Sequence, residues 1–409
     1  MVLTPSLDEK FKYLVDNYNK YFINKDDPDA KGSFIPASTV KMNSSGKFAD
    51  VTIFDTSIVQ LSKYMVYLTL RMENLKANND EKFQQYEEWL ISSLKAIRRL
   101  SRSAYEIYCG VDPTLKLEPG FLLKDDVGKD LKDMFSTNRI VSNYSSNVER
   151  VDEDPNRSEF VGLMQYRVLL CPLTYLYMKY PQYREYTKVV LDILYFIVGN
   201  KCSVYNPYLS KILYNSQKTV KEDVEPEIGE TMNMAKRNLR DKRFRMKVPV
   251  KLNSSNIFYS AGMIYTLKRL TGLTHVNSFS AFFRKILFKM SAFYIRSTSF
   301  PNFTPILSAG FSSHITICGG YDGFREYVIN RLNDNIGNRK IVFYAALLVL
   351  ENSDKTLKLI NNSRLTNFIA NYKGFSVNND KPQSSDIEAL TLMEIYRRIE
   401  DSEKTKGIQ

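Results

Sequence analysis

The chain has 409 residues, 44% of them hydrophobic and 25% charged, with a formal net charge of +12 and a pI near 9.2. These are ordinary globular values, and the chain is long enough to bury a large core. The basic balance permits nucleic acid, an anionic polysaccharide or an acidic protein as partner. A length prior of about 150 residues per domain allows two or three domains, although a helical toroid of this length can be one.

The four cysteines, Cys109, Cys171, Cys202 and Cys318, are scattered, and the only histidines are His275 and His314. No metal-clip spacing and no disulfide framework can be read from them, so no metal and no cofactor is expected. The start of the chain, MVLTPSLDEKF, carries no signal-peptide apolar run. The longest apolar stretches, 341–350 and 189–199, fall short of the roughly 20 residues that span a bilayer. The expectation is a soluble protein made in a reducing cytoplasm, without membrane insertion.

In chain order, residues 1–50 read as an N-terminal helix and a polar linker. Residues 56–75 place Ile58, Leu61, Met65, Leu68, Met72 and Leu75 at steps of three and four, which predicts a helix with one apolar face. Asp55 or Thr56 is its candidate N-cap. Phe83, Tyr86, Leu90, Leu94 and Ile97 repeat the pattern over 81–108, and the polar KANND turn between the two predicts an antiparallel hairpin. Residues 157–180 are apolar on nearly every side from Val161 to Met178. The chain breaks at Tyr180-Pro181, and an amphipathic helix follows over 182–198 with Gly199 as its C-terminal cap. A helix that is apolar all round is buried, and an amphipathic one covers it. The alternation continues through 256–270 and 278–296, then 323–333 and 339–350, and closes with 386–401. VPVKL at 248–252 and the Ser, Gly and Phe-rich stretch 299–320 are the places where short strands or a long loop fit.

About a dozen helices in inner and outer pairs predict an all-α fold. The form expected is an (α/α) toroid of antiparallel helical hairpins over 51–409, with a few short strands and a charged insert at about 217–255. A superhelical solenoid and two stacked bundles are the alternatives. In a toroid the N-terminal ends of the inner helices meet at one mouth. Their dipoles make it mildly positive, and loops preceding inner helices carry any site.

Two loops hold the polar candidates. Glu118 to Val127 reads EPGFLLKDDV, a Pro-Gly turn, an apolar run and two adjacent carboxylates. Asp154 to Leu170 reads DPNRSEFVGLMQYRVLL. The first segment resembles an "EPGF, hydrophobic, basic, Asp-Asp-Val" motif of helical-toroid proteins encoded by tailed bacteriophages. In those proteins a Ser-x-Asp-Gln-like turn opens the next inner helix, and Ser158 to Gln165 is a loose counterpart. The resemblance covers about 60 residues. It implies a virion-associated protein, with its location in the tail and its partners other virion proteins or further copies of itself. It also implies a toroid like those of glycan-active proteins, so a host-surface polysaccharide is a possible ligand.

Asp125 and Asp126 are the candidate catalytic carboxylates. A glycosidase needs two carboxyls about 5–9 Å apart, and adjacent residues in an extended loop diverge, so a partner has to come from Asp152, Glu153, Glu159 or Asp322. Helix capping is the competing role for the pair. Arg157, Gln165, Tyr166, His314 and Asp322 are candidate substrate contacts, since each is a polar group in a loop or in an apolar helix. A buried hydrogen bond is the competing role for Gln165, and an ordinary loop histidine for His314. Lys236, Arg237, Arg240, Lys242, Arg243 and Arg245 form a basic run for a partner or a phosphate. The acidic run 222–230 just before it can pair with it instead. Nucleic acid is thereby possible but not favoured. The functional expectation is a structural component of a phage particle. The alternatives are a glycoside hydrolase or polysaccharide lyase using Asp125 or Asp126, and a basic nucleic-acid-binding protein.

Overall fold

The computed structural model describes residues 7–24, 33–34, 39–42, 48–52, 57–111, 120, 122, 163–199, 266, 270, 322–372 and 386–407. Among these residues the protein is predominantly helical. Helix α1 spans Leu7–Phe22. Two small antiparallel ribbons follow, β1 (Ile23–Asn24) with β2 (Ser33–Phe34) and β3 (Thr39–Met42) with β4 (Phe48–Thr52). The polar linker expected here therefore carries short strands. The helices of the body are α2 (Ser57–Ala77), α3 (Phe83–Val111), α4 (Leu163–Lys179), α5 (Arg184–Thr187) and α6 (Val189–Gly199). They continue with α7 (Asp322–Asp334), α8 (Arg339–Glu351), α9 (Ser353–Leu357), α10 (Asn362–Asn371) and α11 (Asp386–Gly407). Thr266 and Leu270 are helical. The sequence pattern does not predict α9 and α10. The strand candidates at 248–252 and 299–320 and the insert at 217–255 lie outside the described residues.

Local chemistry explains the boundaries. The KANND turn ends α2 with Asn79 at φ 53°, a conformation that asparagine tolerates better than most residues. Asp80 N–H bonds the Leu75 carbonyl at 2.9 Å and Asn79 N–H that of Lys76 at 3.3 Å, the paired bonds of a Schellman cap. Pro181 opens a 3₁₀ turn, Pro181–Tyr183, where its missing N–H costs nothing. Pro172 lies inside α4. It removes the bond to the carbonyl four residues back, and the helix persists there because Cys171, Leu173 and Leu176 are fully buried around it. Asn352 and Asn361 cap α9 and α10, accepting from the N–H groups of Lys355 and Arg364.

Side-chain pairings fix the helix directions. Along α2 and α11, Lys63 meets Glu388, Arg71 meets Glu394, Asn74 meets Arg398 and Asn78 meets Asp401. The numbers rise together, so the two helices run parallel. Glu73, late in α2, meets Tyr175, late in α4, and Tyr175 also reaches the carbonyl of Leu350 at the end of α8. Helices α2, α4, α8 and α11 thus point the same way and pack together.

Their partners point the other way. Tyr86 at the start of α3 lies 6.4 Å from Tyr67 of α2. Phe196 at the end of α6 lies 6.3 Å from Tyr166 at the start of α4. Arg325 at the start of α7 pairs with Glu351 at the end of α8. Tyr372, just past α10, bonds Asp386 at the start of α11. The pairing of a buried helix with an amphipathic one, expected from the hydropathy pattern at 157–198 and 323–350, is present there; the parallel direction of the buried helices is not part of that pattern.

The core runs along the four inner helices. Residues 341–350 of α8 are all buried, as are 168–176 of α4. Each fully buried large apolar side chain contributes about 1.5–3 kcal/mol. Helix α2 departs from the single apolar face expected of it. Tyr64, Met65, Val66, Tyr67, Leu68, Thr69 and Leu70 are all buried, as are Gln60, Ser62 and Asn74. Ser62 and Thr69 donate to the Ile58 and Met65 carbonyls one turn back, at 2.6 and 2.7 Å, which satisfies hydroxyls that would otherwise be costly to bury. No described helix is long and apolar enough to cross a membrane.

Candidate functional site

The densest polar constellation among the described residues is the seam between α2, the first inner helix, and α11, the last. Glu394 is 0% exposed. One of its oxygens lies 3.4 Å from Arg71 Nη1 and 3.2 Å from Arg397 Nη1, and the other accepts from Asn74 Nδ2 at 2.8 Å. A buried carboxylate is tolerated only with such pairing. Burial is the largest influence on Arg71 and opposes its charge, but Glu394 together with Tyr67 and Tyr86 outweighs it and the guanidinium pKa rises.

One turn further on, Arg398 donates to Asn74 Oδ1 at 2.7 Å and to Glu73 Oε2 at 2.9 Å. The other oxygen of Glu73 receives the hydroxyls of Tyr175 and Tyr180. Next to it, the Tyr183 hydroxyl donates to Glu87 of α3. Burial, reinforced by these carboxylates, pushes the Tyr175, Tyr180 and Tyr183 hydroxyls well above the ordinary tyrosine value of 10.0. At the other end of the seam, Lys63 pairs with Glu388 at 2.5 Å, and Tyr372 donates to Asp386 at 2.8 Å. Asp386 and Glu388 sit in the first turn of α11, where the helix dipole favours negative charge. The seam therefore spends its charges on holding α2 against α11.

The EPGF segment has its own geometry. Gly120 has φ +94° and lies against the α6 backbone, so close that a Cβ would sit 2.3 Å from the Asp192 carbonyl oxygen. Only glycine fits both the conformation and the space. Tyr166, on the first turn of α4 and 0% exposed, ties the turn down. Its hydroxyl donates to the Gly120 carbonyl at 2.9 Å and accepts from Leu122 N–H at 2.8 Å. Leu122 is itself fully buried. Asp192, which interrupts the apolar run of α6, is half-buried. Desolvation raises its carboxyl pKa against the opposing charges of Lys188 and Arg98.

Of the residues picked out from the sequence, Tyr166 is thus a buried tether whose hydroxyl both donates and accepts within the fold. Gln165 lies beside it on α4, half-buried and partnered. Asp322 is the first residue of α7. Asp125, Asp126, Arg157, His314, Lys236, Arg237, Arg240, Lys242, Arg243 and Arg245 lie outside the described residues, as do Asp152, Glu153 and Glu159. Trp89 packs beside Tyr86, with ring centroids 5.1 Å apart. The seam carboxylates Glu73, Glu388 and Glu394 escaped the sequence reading. They look like ordinary helix-surface charges until the facing helix is known, although an i to i+3 Glu394-Arg397 pair was visible. No known protein family, curated protein or solved structure matches this chain.

Proposed function

We propose that this protein is a structural scaffold that acts through protein–protein assembly, as a tail-associated component of a tailed-phage particle. The observation that carries the reading is the seam. Its carboxylates, guanidinium groups and tyrosine hydroxyls are committed to one another across helices far apart in sequence, an arrangement that fixes helix register rather than one that turns over a substrate. The EPGF turn supports the virion assignment through its resemblance to phage toroid proteins, and here its glycine and its tether hold the turn on α4 and α6.

The finer architecture belongs to the same proposal. The inner helices form an (α/α) toroid in which α11 closes the ring on α2. Parallel inner helices with antiparallel outer partners, and contact between the first and last inner helices, support it. The decisive experiment is to purify intact particles from the source, wash them in high salt and ask by proteomics whether the chain stays with them. Retention is the expected result, and loss to the wash overturns the virion role.

A glycan-active enzyme is the second reading, favoured by one observation. Tyr166 anchors the EPGF turn at the N-terminal end of an inner helix, the mouth at which toroid loops carry sites. Asp125 and Asp126 follow Leu122 closely in sequence. On this reading, polysaccharide cleavage by the purified chain disappears in Asp125→Asn or Asp126→Asn. Absence of cleavage in the parent chain removes it.

A further inference from the structure

Helix α1 stands outside the alternation of inner and outer helices and lies across the seam. Its ring Phe11 sits between the two arginines that hold Glu394: the Arg397 guanidinium is 3.8 Å from the ring centroid and that of Arg71 is 5.1 Å away. Arg397 also reaches Asp8 at 3.2 Å. Lys10 donates to the Ala370 carbonyl at the end of α10 at 2.8 Å. One turn and more along, Tyr18 stacks on Tyr64 of α2 at 5.9 Å. A single amphipathic helix therefore touches α2, α10 and α11, and it covers the most buried charge of the seam. Phe11, Leu14 and Tyr18 are its buried face.

We propose that α1 is a latch over the joint between the first and last inner helices, and that this joint is where the protein opens. Three features of the seam support a joint that opens there. It joins segments more than 300 residues apart in sequence, so no short connection holds it. It is lined with ion pairs that water can replace once the cover leaves, whereas α4 and α8 meet the bundle mainly through apolar side chains. And α1 contributes one aromatic ring to both arginines, a cation–π contact that strengthens as water is excluded. Undocking α1 wets Arg71, Glu394 and Arg397 together, and α11 then loses its most shielded contacts with α2. The inference stands on the seam alone and holds whether the chain works in a particle or on a glycan.

Amide hydrogen exchange on the full chain tests it, with Phe11→Ala compared to the parent. If α1 is the latch, exchange speeds up by about ten-fold or more in both α1 and the 390–400 stretch of α11, by similar factors, while α4 and α6 stay at parent rates. Faster exchange confined to α1 means that the helix frays without opening the seam, and that outcome overturns the proposal. An equal increase in every helix overturns it as well, because α1 would then belong to the global core. Should Phe11→Ala not fold, Phe11→Leu keeps an apolar side chain and removes only the contact of the ring with Arg71 and Arg397. The same three outcomes then decide.

Discussion

Replacing Gly120 with alanine is expected to destabilise the protein by about 2–5 kcal/mol. Two costs enter. An L-residue held in the left-handed half of the map costs about 1–2 kcal/mol, and Gly120 is at φ +94°. The new methyl must also find room where the Asp192 carbonyl oxygen and carbon lie at 2.3 and 2.4 Å and Ile193 N at 2.7 Å. All three are helix backbone, which cannot swing aside as a side chain would, so overpacking adds about 1–3 kcal/mol. Urea unfolding followed by far-UV circular dichroism reads the total from the midpoint and slope. Tyr166→Phe provides the cross-check. It strands the Leu122 N–H and the Gly120 carbonyl inside the protein, at about 1–3 kcal/mol for each unsatisfied group. Because both substitutions release the same turn, the double variant is expected to cost less than the sum of the two. A Gly120→Ala protein within about 0.5 kcal/mol of the parent, the range of an inconsequential surface change, would refute the docking of this turn on α6.

Glu394→Ala is expected to cost about 3–5 kcal/mol, since it leaves Arg71 and Arg397 facing each other without the carboxylate that pairs them; a loss below 1 kcal/mol in the same unfolding assay would place the pair in solvent. The buried tyrosines set an alkaline limit. Tyr18, Tyr64, Tyr67 and Tyr166 have pKa values raised by burial above 10.0, so the stability they lend is complete below pH 10.0 and falls as pH rises beyond it. Tyrosinate absorbance of these rings should therefore appear together with loss of helix, and ionisation of all tyrosines in a protein still fully helical would contradict their burial. Asp192 carries the opposite lesson. Its pKa is raised above 3.8 by desolvation, so its ionised form burdens the fold at neutral pH. Asp192→Asn should raise the urea midpoint at pH 7 and lose that advantage as the pH falls below the carboxyl's folded pKa; a lowered midpoint at pH 7 would mean that Lys188 and Arg98 dominate instead.

Among the described residues the helices were legible where the pattern was long; the helix expected over 278–296, and 256–270 apart from Thr266 and Leu270, lie outside those residues. Segments expected at 56–75, 81–108, 323–333 and 339–350 stand at Ser57–Ala77, Phe83–Val111, Asp322–Asp334 and Arg339–Glu351. The KANND turn and Pro181 stop helices for reasons that lie in those residues alone. The helix expected over 182–198 is instead the 3₁₀ turn Pro181–Tyr183, the short α5 and then α6, ending at Gly199 as read. The last helix runs on to Gly407, beyond the 401 expected, because its final turns are charged and carry no apolar period to follow. Helices α9 and α10 went unread because they are short, and what defines them is an asparagine cap at each start rather than a stripe. In the EPGF segment, the Pro-Gly turn was visible but the close approach that requires its glycine was not. The motif pointed towards adjacent carboxylates, and the structure ties Gly120 and Leu122 to Tyr166 forty-odd residues away.

Composition, periodicity and turn chemistry determined that the described residues are predominantly helical, with buried helices beside amphipathic ones, because those signals depend on neighbours three and four residues apart. Tertiary structure alone decided which helices are inner, that the inner ones run parallel, and that α2 is buried on its polar side as well. A Glu at 394, an Asn at 74 and an Arg at 71 read as solvated surface in sequence. They became an interior only when α2 and α11, more than 300 residues apart in sequence, came together, since the favourable burial of a charge depends on a partner that local sequence does not contain.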